Sequence, residues 1–190
     1  MEGREPGAAH PHSTLKSPNP GPMSHVYAGP MSHVVLMCGA AGSGKSTAAR
    51  ELEARGMLRL SGDAEAYERG LRSMPLPTEI HEEIITALRR RLLDAVAEGR
   101  DVVVDLSFWS RAMRDEWRAL LAPTDATVEI LHVVADRATA LARLRERAGA
   151  HADDFALPPG LAELYHDNFE PPGPDEGPVT VLRTDGSPVA

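Results

Sequence analysis

The chain is poor in several things, and each shortage narrows what it can be. It has one cysteine, Cys38, so no intramolecular disulfide can form, and a reducing cytoplasm is the expected setting. No apolar run reaches the roughly 18 residues a membrane-spanning helix needs. The first residues lack the basic-then-apolar layout of a secretory signal. Positive charge is in deficit, with 20 Lys plus Arg against 28 Asp plus Glu and a net charge of −8. That balance disfavours a general coat for long nucleic acid, though it leaves room for a local basic channel around a short or single-stranded end.

Apolar periodicity is also missing from residues 1–30, which are rich in Pro, Gly, His and Ser. Such a segment cannot bury enough surface to offset its ordering entropy, so a disordered tail is expected. Gly-Pro-Met-Ser-His-Val occurs at 21–26 and again at 29–34, which suggests a local duplication or an upstream start, with Met31 as the alternative initiator to Met1. The remainder, residues 31–190, is long enough for one domain with a sizeable core.

The most informative feature is the run 34–47, Val-Val-Leu-Met-Cys-Gly-Ala-Ala-Gly-Ser-Gly-Lys-Ser-Thr. A buried-strand pattern empties into a glycine loop, and an Ala-rich helix-forming stretch follows. Gly39, Gly44, Lys45 and Ser46 satisfy G-x-x-x-x-G-K-[ST], the Walker A or P-loop pattern. Strand, glycine loop and helix in that order suit a backbone cradle for nucleotide phosphates, made from Gly39, Ala40, Ala41, Gly42, Ser43, Gly44, Lys45, Ser46 and Thr47. The helix adds its positive N-terminal end. Lys45 would reach the β/γ-phosphates of ATP, and the Ser46 hydroxyl would sit on Mg²⁺.

Further along, short apolar runs alternate with helical patterns. Strands are expected at 34–38, 57–60, 102–105, 128–134 and 179–182. Helices are expected at 46–52, 64–71, 78–98, 111–121, 136–147 and near 161–169. In the third of these, Ile80, Ile84, Leu88 and Leu92 form one stripe. Alternation of this kind predicts a three-layer α/β domain whose parallel strands are joined by right-handed crossovers. Ligands then bind beyond the carboxyl ends of the strands, where the P-loop, Asp63 and Asp105 should gather.

Two carboxylates therefore matter. Asp105 ends the run Val-Val-Val-Asp, a Walker B-like pattern suited to holding Mg²⁺ directly or through water, although an aspartate there can also cap the turn. Asp63 stands across from the γ-phosphate, either as a base or orienter for an acceptor hydroxyl or as the N-cap of the helix at 64–71. Arg143 and Arg147, four apart on one helix face ahead of a Gly-containing segment, suit a lid, while Arg145 belongs to solvent. Arg111, Arg114 and Arg118 follow helical spacing after Phe108 and Trp109. They are either contacts to an anionic acceptor, Arg111 and Arg114 foremost, or surface partners of Asp115 and Glu116 with the tryptophans packed. Arg89, Arg90 and Arg91 read as a solvated face. His132 reads as a core histidine, and His81, His151 and His166 lack metal-ligand spacing. Cys38 reads as a small buried residue rather than a reactive thiol.

These residues resemble the small P-loop kinases called zeta-toxin-like or AAA_33-like. The resemblance covers residues 33 to about 183 and is carried by Gly-Ala-Ala-Gly-Ser-Gly-Lys-Ser-Thr at 39–47, Leu-Ser-Gly-Asp at 60–63 and Val-Val-Val-Asp-Leu-Ser-Phe-Trp-Ser-Arg at 102–111. Arg143-x-x-x-Arg147 and Phe-Glu-Pro-Pro-Gly-Pro-Asp-Glu-Gly at 169–177 complete it. It implies a five-stranded parallel sheet of order 2-3-1-4-5, a mobile lid, and transfer of the ATP γ-phosphoryl group to a hydroxyl. Lys45, Asp63, Asp105 and Arg147 would be catalytic, with Arg147 on phosphate and Arg143 stacked on adenine. The chain lacks room for a ring-forming ATPase with a second helical domain. It departs from many relatives in having Ala64, Glu65 and Ala66 after Asp63, where an arginine is usual three residues on. That weakens a polynucleotide-end acceptor. The leading expectation is a small-molecule kinase acting as a monomer or weak dimer, with no membrane and no long nucleic acid as partner. The alternatives are a nucleic-acid 5′-end or nucleotide-sugar kinase of toxin-like type, and a nucleotide-binding ATPase with no acceptor.

Overall fold

The run Val34 to Cys38 is apolar at every position, so it can be a strand only if both of its faces are covered. The computed structural model, which describes residues 31–146, 155, 157–158 and 160–186, meets that condition with β1 (His33–Cys38) at the centre of a sheet. The tail at 1–30, Arg147 and His151 lie outside the described residues. From β1 the chain passes through α1 (Lys45–Ala54), β2 (Leu58–Ser61), α2 (Gly62–Glu68), α3 (Thr78–Ala97) and β3 (Val102–Asp105). It continues through α4 (Arg111–Leu121), β4 (Thr127–Val134), α5 (Arg137–Glu146), α6 (Leu161–Asp167) and β5 (Val179–Arg183).

The five strands are parallel, as their alternation with helices predicts, and they lie in the order β2-β3-β1-β4-β5 that the family resemblance implies. Because successive side chains alternate across a strand, β1 sends Val34, Leu36 and Cys38 to one side and Val35 and Met37 to the other. The first set joins Leu60, Val102, Val104 and Ile130 beneath the stripe Ile84, Leu88, Leu92 and Ala95 of α3, with Trp117 and Leu121 of α4. The second set packs with Val103 and Val133 against Ala48 and Ala49 of α1. Each fully buried leucine here contributes about 1.5–3 kcal/mol, so the stripe on α3 holds that layer against the sheet.

Local chemistry sets the helix starts. Ser110, extended at φ −116° and ψ 152°, accepts a hydrogen bond from the Met113 amide at 3.2 Å and caps α4. Ser61 does the same for α2, accepting from Ala64 N at 3.2 Å, and it is also the last residue of β2. The strand thus turns directly into the helix, so the expected cap at Asp63 is corrected. Asp63 instead lies in the first turn of α2, which starts two residues earlier than expected and ends at Glu68.

Candidate functional site

Parallel strands bring their carboxyl ends to one rim, and on this rim the phosphate-loop pattern, Ser61, Asp63 and Asp105 converge. The loop between β1 and α1 leaves no room for side chains at two of its glycines. A Cβ on Gly42, which sits at φ +78°, would lie 2.3 Å from the Ala140 carbonyl oxygen; one on Gly39 would lie 2.4 Å from that of Val133. Glycine is required there by both conformation and space. Gly39 N donates to Ser107 O at 3.2 Å, tying the loop to the turn after β3. Lys45 Nζ donates to Ala40 O at 3.0 Å, folded across its own loop. Inside the loop, the buried Ser43 hydroxyl has no hydrogen-bond partner among the described residues.

Asp105 is buried at the end of β3 and faces two groups. Its Oδ1 lies 3.5 Å from Ser46 Oγ, at the first turn of α1. Its Oδ2 accepts from both Nε and Nη2 of Arg59, with Nε at 3.0 Å. Sequence reasoning passed over Arg59. Its signal was an arginine inside a four-residue strand, where a charge must find a partner.

A hydroxyl beside a carboxylate oxygen suits a hard divalent cation. Among the described residues no group of three or more His, Cys, Asp or Glu side chains could hold a metal alone. Mg²⁺ commonly takes one or two protein oxygens and completes its shell with phosphate and water. Ser46 and Asp105 fit that role.

Arg143, near the end of α5, reaches back over the loop. Its Nη1 donates to Thr184 Oγ1 at 2.8 Å and to Gly42 O at 3.4 Å, and its Nη2 donates to Thr184 O at 2.7 Å. Thr184 follows β5, and its hydroxyl donates a hydrogen bond to Ser43 O at 2.7 Å. His166 of α6 approaches Ala41 O with its Nε2 at 3.1 Å. Neither Thr184 nor His166 was legible as a site residue, because each acts on a loop more than 120 positions away. Arg145 is exposed, as expected.

Of the two readings of the α4 arginines, acceptor contact by Arg111 and Arg114 or surface pairing, Arg111 and Arg118 follow the second, meeting Asp115 at 3.5 and 3.3 Å, and Arg114 follows neither. Arg114 is wholly buried and paired with Glu176: Nε donates to Oε2 at 2.6 Å and Nη2 to Oε1 at 2.9 Å. Its Nη1 donates to the carbonyls of Phe108 and Glu170 at 2.9 and 2.8 Å. Arg114 therefore cannot touch an acceptor, since it already serves four oxygens inside the protein. Burial works most strongly against its charge, but the Glu176 hydrogen bonds and charge together with the contacts to Cys38 outweigh it and raise the guanidinium pKa. Arg111 is exposed and bound to Asp175 at 2.7 Å, while its amide donates to Glu170 Oε2 at 2.8 Å. The segment 169–177 is thus clasped to the start of α4.

The remaining expectations divide. Trp117 packs edge-on against Phe108 with centroids 5.5 Å apart, whereas Trp109 points to solvent. Phe108 takes φ +42°, which turns its ring inward and lets Trp109 face out. Arg89 and Arg91 are not simply solvated: they pair with Glu116 at 2.7 Å and Glu65 at 3.1 Å, tying α3 to α4 and α2. Burial and the Arg114 charge lower the pKa of His132, which stacks on Phe169. Cys38 is buried, and burial pushes its thiol up to about 11 despite the nearby Arg114 and Lys45 charges. It is inert packing, as expected.

Comparison with known proteins agrees with this arrangement. A candidate kinase from Chloroflexus aurantiacus matches with a TM-score of 0.67 at 19% identity, over 82% of this chain and 90% of that one. A sugar kinase from Janibacter sp. HTCC2649 matches with a TM-score of 0.56 at 24% identity, over 81% and 86%. The APS kinase CysC of Mycobacterium tuberculosis, in complex with AMPPNP and APS, matches with a TM-score of 0.54 at 18% identity, over 83% and 91%. These likenesses establish a P-loop kinase-like fold. No curated protein matches the sequence. The AAA_33 family, described as an AAA domain, matches residues 34–172, from the first strand into the start of the clasped segment. This protein belongs to the AAA_33 family and carries its P-loop on a kinase-like sheet.

Proposed function

We propose that this protein binds ATP in the loop at 39–46 and transfers the γ-phosphoryl group to a hydroxyl of a small molecule. The observation that carries the reading is the meeting of Lys45, Ser46, Asp105 and Asp63 on one rim, with Ser46 Oγ 3.5 Å from Asp105. The loop amides and the N-terminus of α1 bind the α- and β-phosphates. Lys45 swings from Ala40 O to the β/γ-phosphates. Ser46 and Asp105 hold Mg²⁺, which neutralises charge on the phosphates when bound. Arg143 lies against the base and Arg147 meets phosphate. Asp63 orients the acceptor and takes its proton. The acceptor oxygen then bonds to the γ-phosphorus as the bond to the β–γ bridging oxygen breaks, and ADP leaves.

A small acceptor is favoured over a nucleic-acid end because the net charge is −8 and two of the similar structures are a sugar kinase and an APS kinase. The reaction is assigned to the cytoplasm and to a monomer or weak dimer. None of the described helices is long and apolar enough to cross a membrane. Single-turnover reactions with γ-labelled ATP and a metabolite panel test the proposal. Label on a metabolite supports it. Label on an RNA or DNA 5′ end, or only free phosphate, replaces it with a nucleic-acid kinase or an ATPase. Lys45→Ala should abolish nucleotide-dependent activity, and retained turnover would refute the assignment of the loop.

A further inference from the structure

Arg59 lies in the middle of β2 with its side chain only 9% exposed, and the Asp105 side chain beside it is 4% exposed. In the parallel register Arg59 sits beside Val103 and Ser61 beside Asp105. Side chains alternate along a strand, so all four point to the face that α1 covers. Arg59 therefore reaches up beneath the phosphate loop. Its Nε and Nη2 both close on Asp105 Oδ2, and Nη2 also donates to Ser61 Oγ at 3.4 Å. The other carboxylate oxygen, Oδ1, is left turned toward Ser46 Oγ at 3.5 Å.

We infer that Arg59 is a positioning residue for the metal–nucleotide complex, an inference that rests on the nucleotide reading above. The torsion that turns a carboxylate is broad and nearly two-fold, so Asp105 alone would present either oxygen or both. Two donors fixed in one plane remove that freedom, because a guanidinium fork holds direction as well as charge. With Oδ2 committed, Asp105 offers a cation one oxygen and cannot chelate it with two. Mg²⁺, small and octahedral, accepts single oxygens and keeps its water, whereas Ca²⁺ readily takes bidentate carboxylates. Arg59 thereby sets both the affinity of the site for Mg²⁺ and its preference for Mg²⁺ over Ca²⁺. Arg59 would act on a cation at Ser46 through the Asp105 carboxylate it holds.

The test uses the full chain with a fluorescent ADP analogue, titrated with Mg²⁺ or Ca²⁺. Arg59→Lys keeps the charge but loses the fork. Its half-saturating Mg²⁺ should rise about tenfold, as expected when the partner orienting a metal ligand is lost. Half-saturating Ca²⁺ should change little, so the Mg²⁺ preference falls. Cation-free affinity for the analogue reports whether the loop is intact, and should stay within about twofold in a site whose fold is kept. Arg59→Gln, which can give one hydrogen bond to Oδ2, is the second variant should the lysine fail to fold. In an Asp105→Asn background the effect of either change should vanish. An unchanged Mg²⁺ requirement, equal shifts for both cations, or a shift that persists with Asp105→Asn would each overturn the inference. A wild-type protein that binds no analogue with or without cation would overturn the nucleotide reading, and the inference with it.

Discussion

Replacing Glu176 with Gln should destabilise the protein by about 3 kcal/mol, the lower end of the cost of breaking a buried ion pair. The pair is deeply enclosed, with side chains 0% and 1% exposed for Arg114 and Glu176. Glutamine removes the negative charge and can accept only one of the two guanidinium bonds. Arg114 would then stand as a buried cation. The loss is not larger because its Nη1 keeps the Phe108 and Glu170 carbonyls. Against a total of about 5–15 kcal/mol this is a large fraction. At roughly 2–4 °C per kcal/mol for a domain of this size, the melting temperature should fall by about 6–12 °C. Urea unfolding at neutral pH measures the difference, with Asp175→Asn as the control. That change breaks the exposed pair to Arg111 and should produce no resolvable effect. The pH dependence gives a second check. Hydrogen bonds from Arg114 hold Glu176 below its ordinary 4.5 despite burial. A depressed carboxylate stabilises the fold above its unfolded value, and the contribution is lost as pH falls through the folded value. The gap between wild type and Glu176→Gln should therefore narrow below about pH 4.5. A penalty no larger than that of Asp175→Asn, or a gap that does not change in acid, would refute the reasoning.

Three further outcomes can be measured. Gly42→Ala would place a methyl 2.3 Å from Ala140 O at φ +78°, so nucleotide affinity should collapse and stability fall by about 1–3 kcal/mol; retained affinity in an analogue titration would count against the loop geometry. Cys38, raised from 9.0 to about 11 by burial, stays protonated in the fold at a pH where the unfolded chain ionises. Its contribution is whole below the unfolded value and lost as pH rises to the folded one, about 3 kcal/mol in all. Urea unfolding between pH 8 and 11 should show a shallower decline for Cys38→Ala than for wild type, and parallel curves would exclude the effect. Asp63→Asn should stop transfer to the acceptor while leaving ATP binding intact; unchanged transfer would remove Asp63 from the chemistry.

The parts of this protein legible in the sequence are those whose cause is local. A glycine loop between a buried strand and a helix is complete within 14 residues, and five short apolar runs alternating with helices anticipate a parallel sheet, whose strand order comes from the family resemblance. The boundaries slipped where two local causes compete: Ser61 and Asp63 can both cap, and the serine won because it is already extended as the end of β2. The arginines of α4 failed for a different reason. Their spacing reads as a polar row, facing either an acceptor or solvent, but Arg114 stands three residues before Trp117 and seven before Leu121, on the helix's buried stripe. An arginine on such a stripe requires an acid brought to it, and the acid lies 62 residues away beyond one intervening strand and two helices. The Pro-rich segment 169–177 looked like a family signature without a task. Its task is to deliver Glu176 to Arg114, whose grip on the Phe108 carbonyl helps hold a residue at φ +42°. The neighbouring carbonyl, Ser107 O, receives the Gly39 amide of the phosphate loop. The two segments thus meet in one clasp beside the loop, so the distant motif supports the phosphate loop through the backbone it holds.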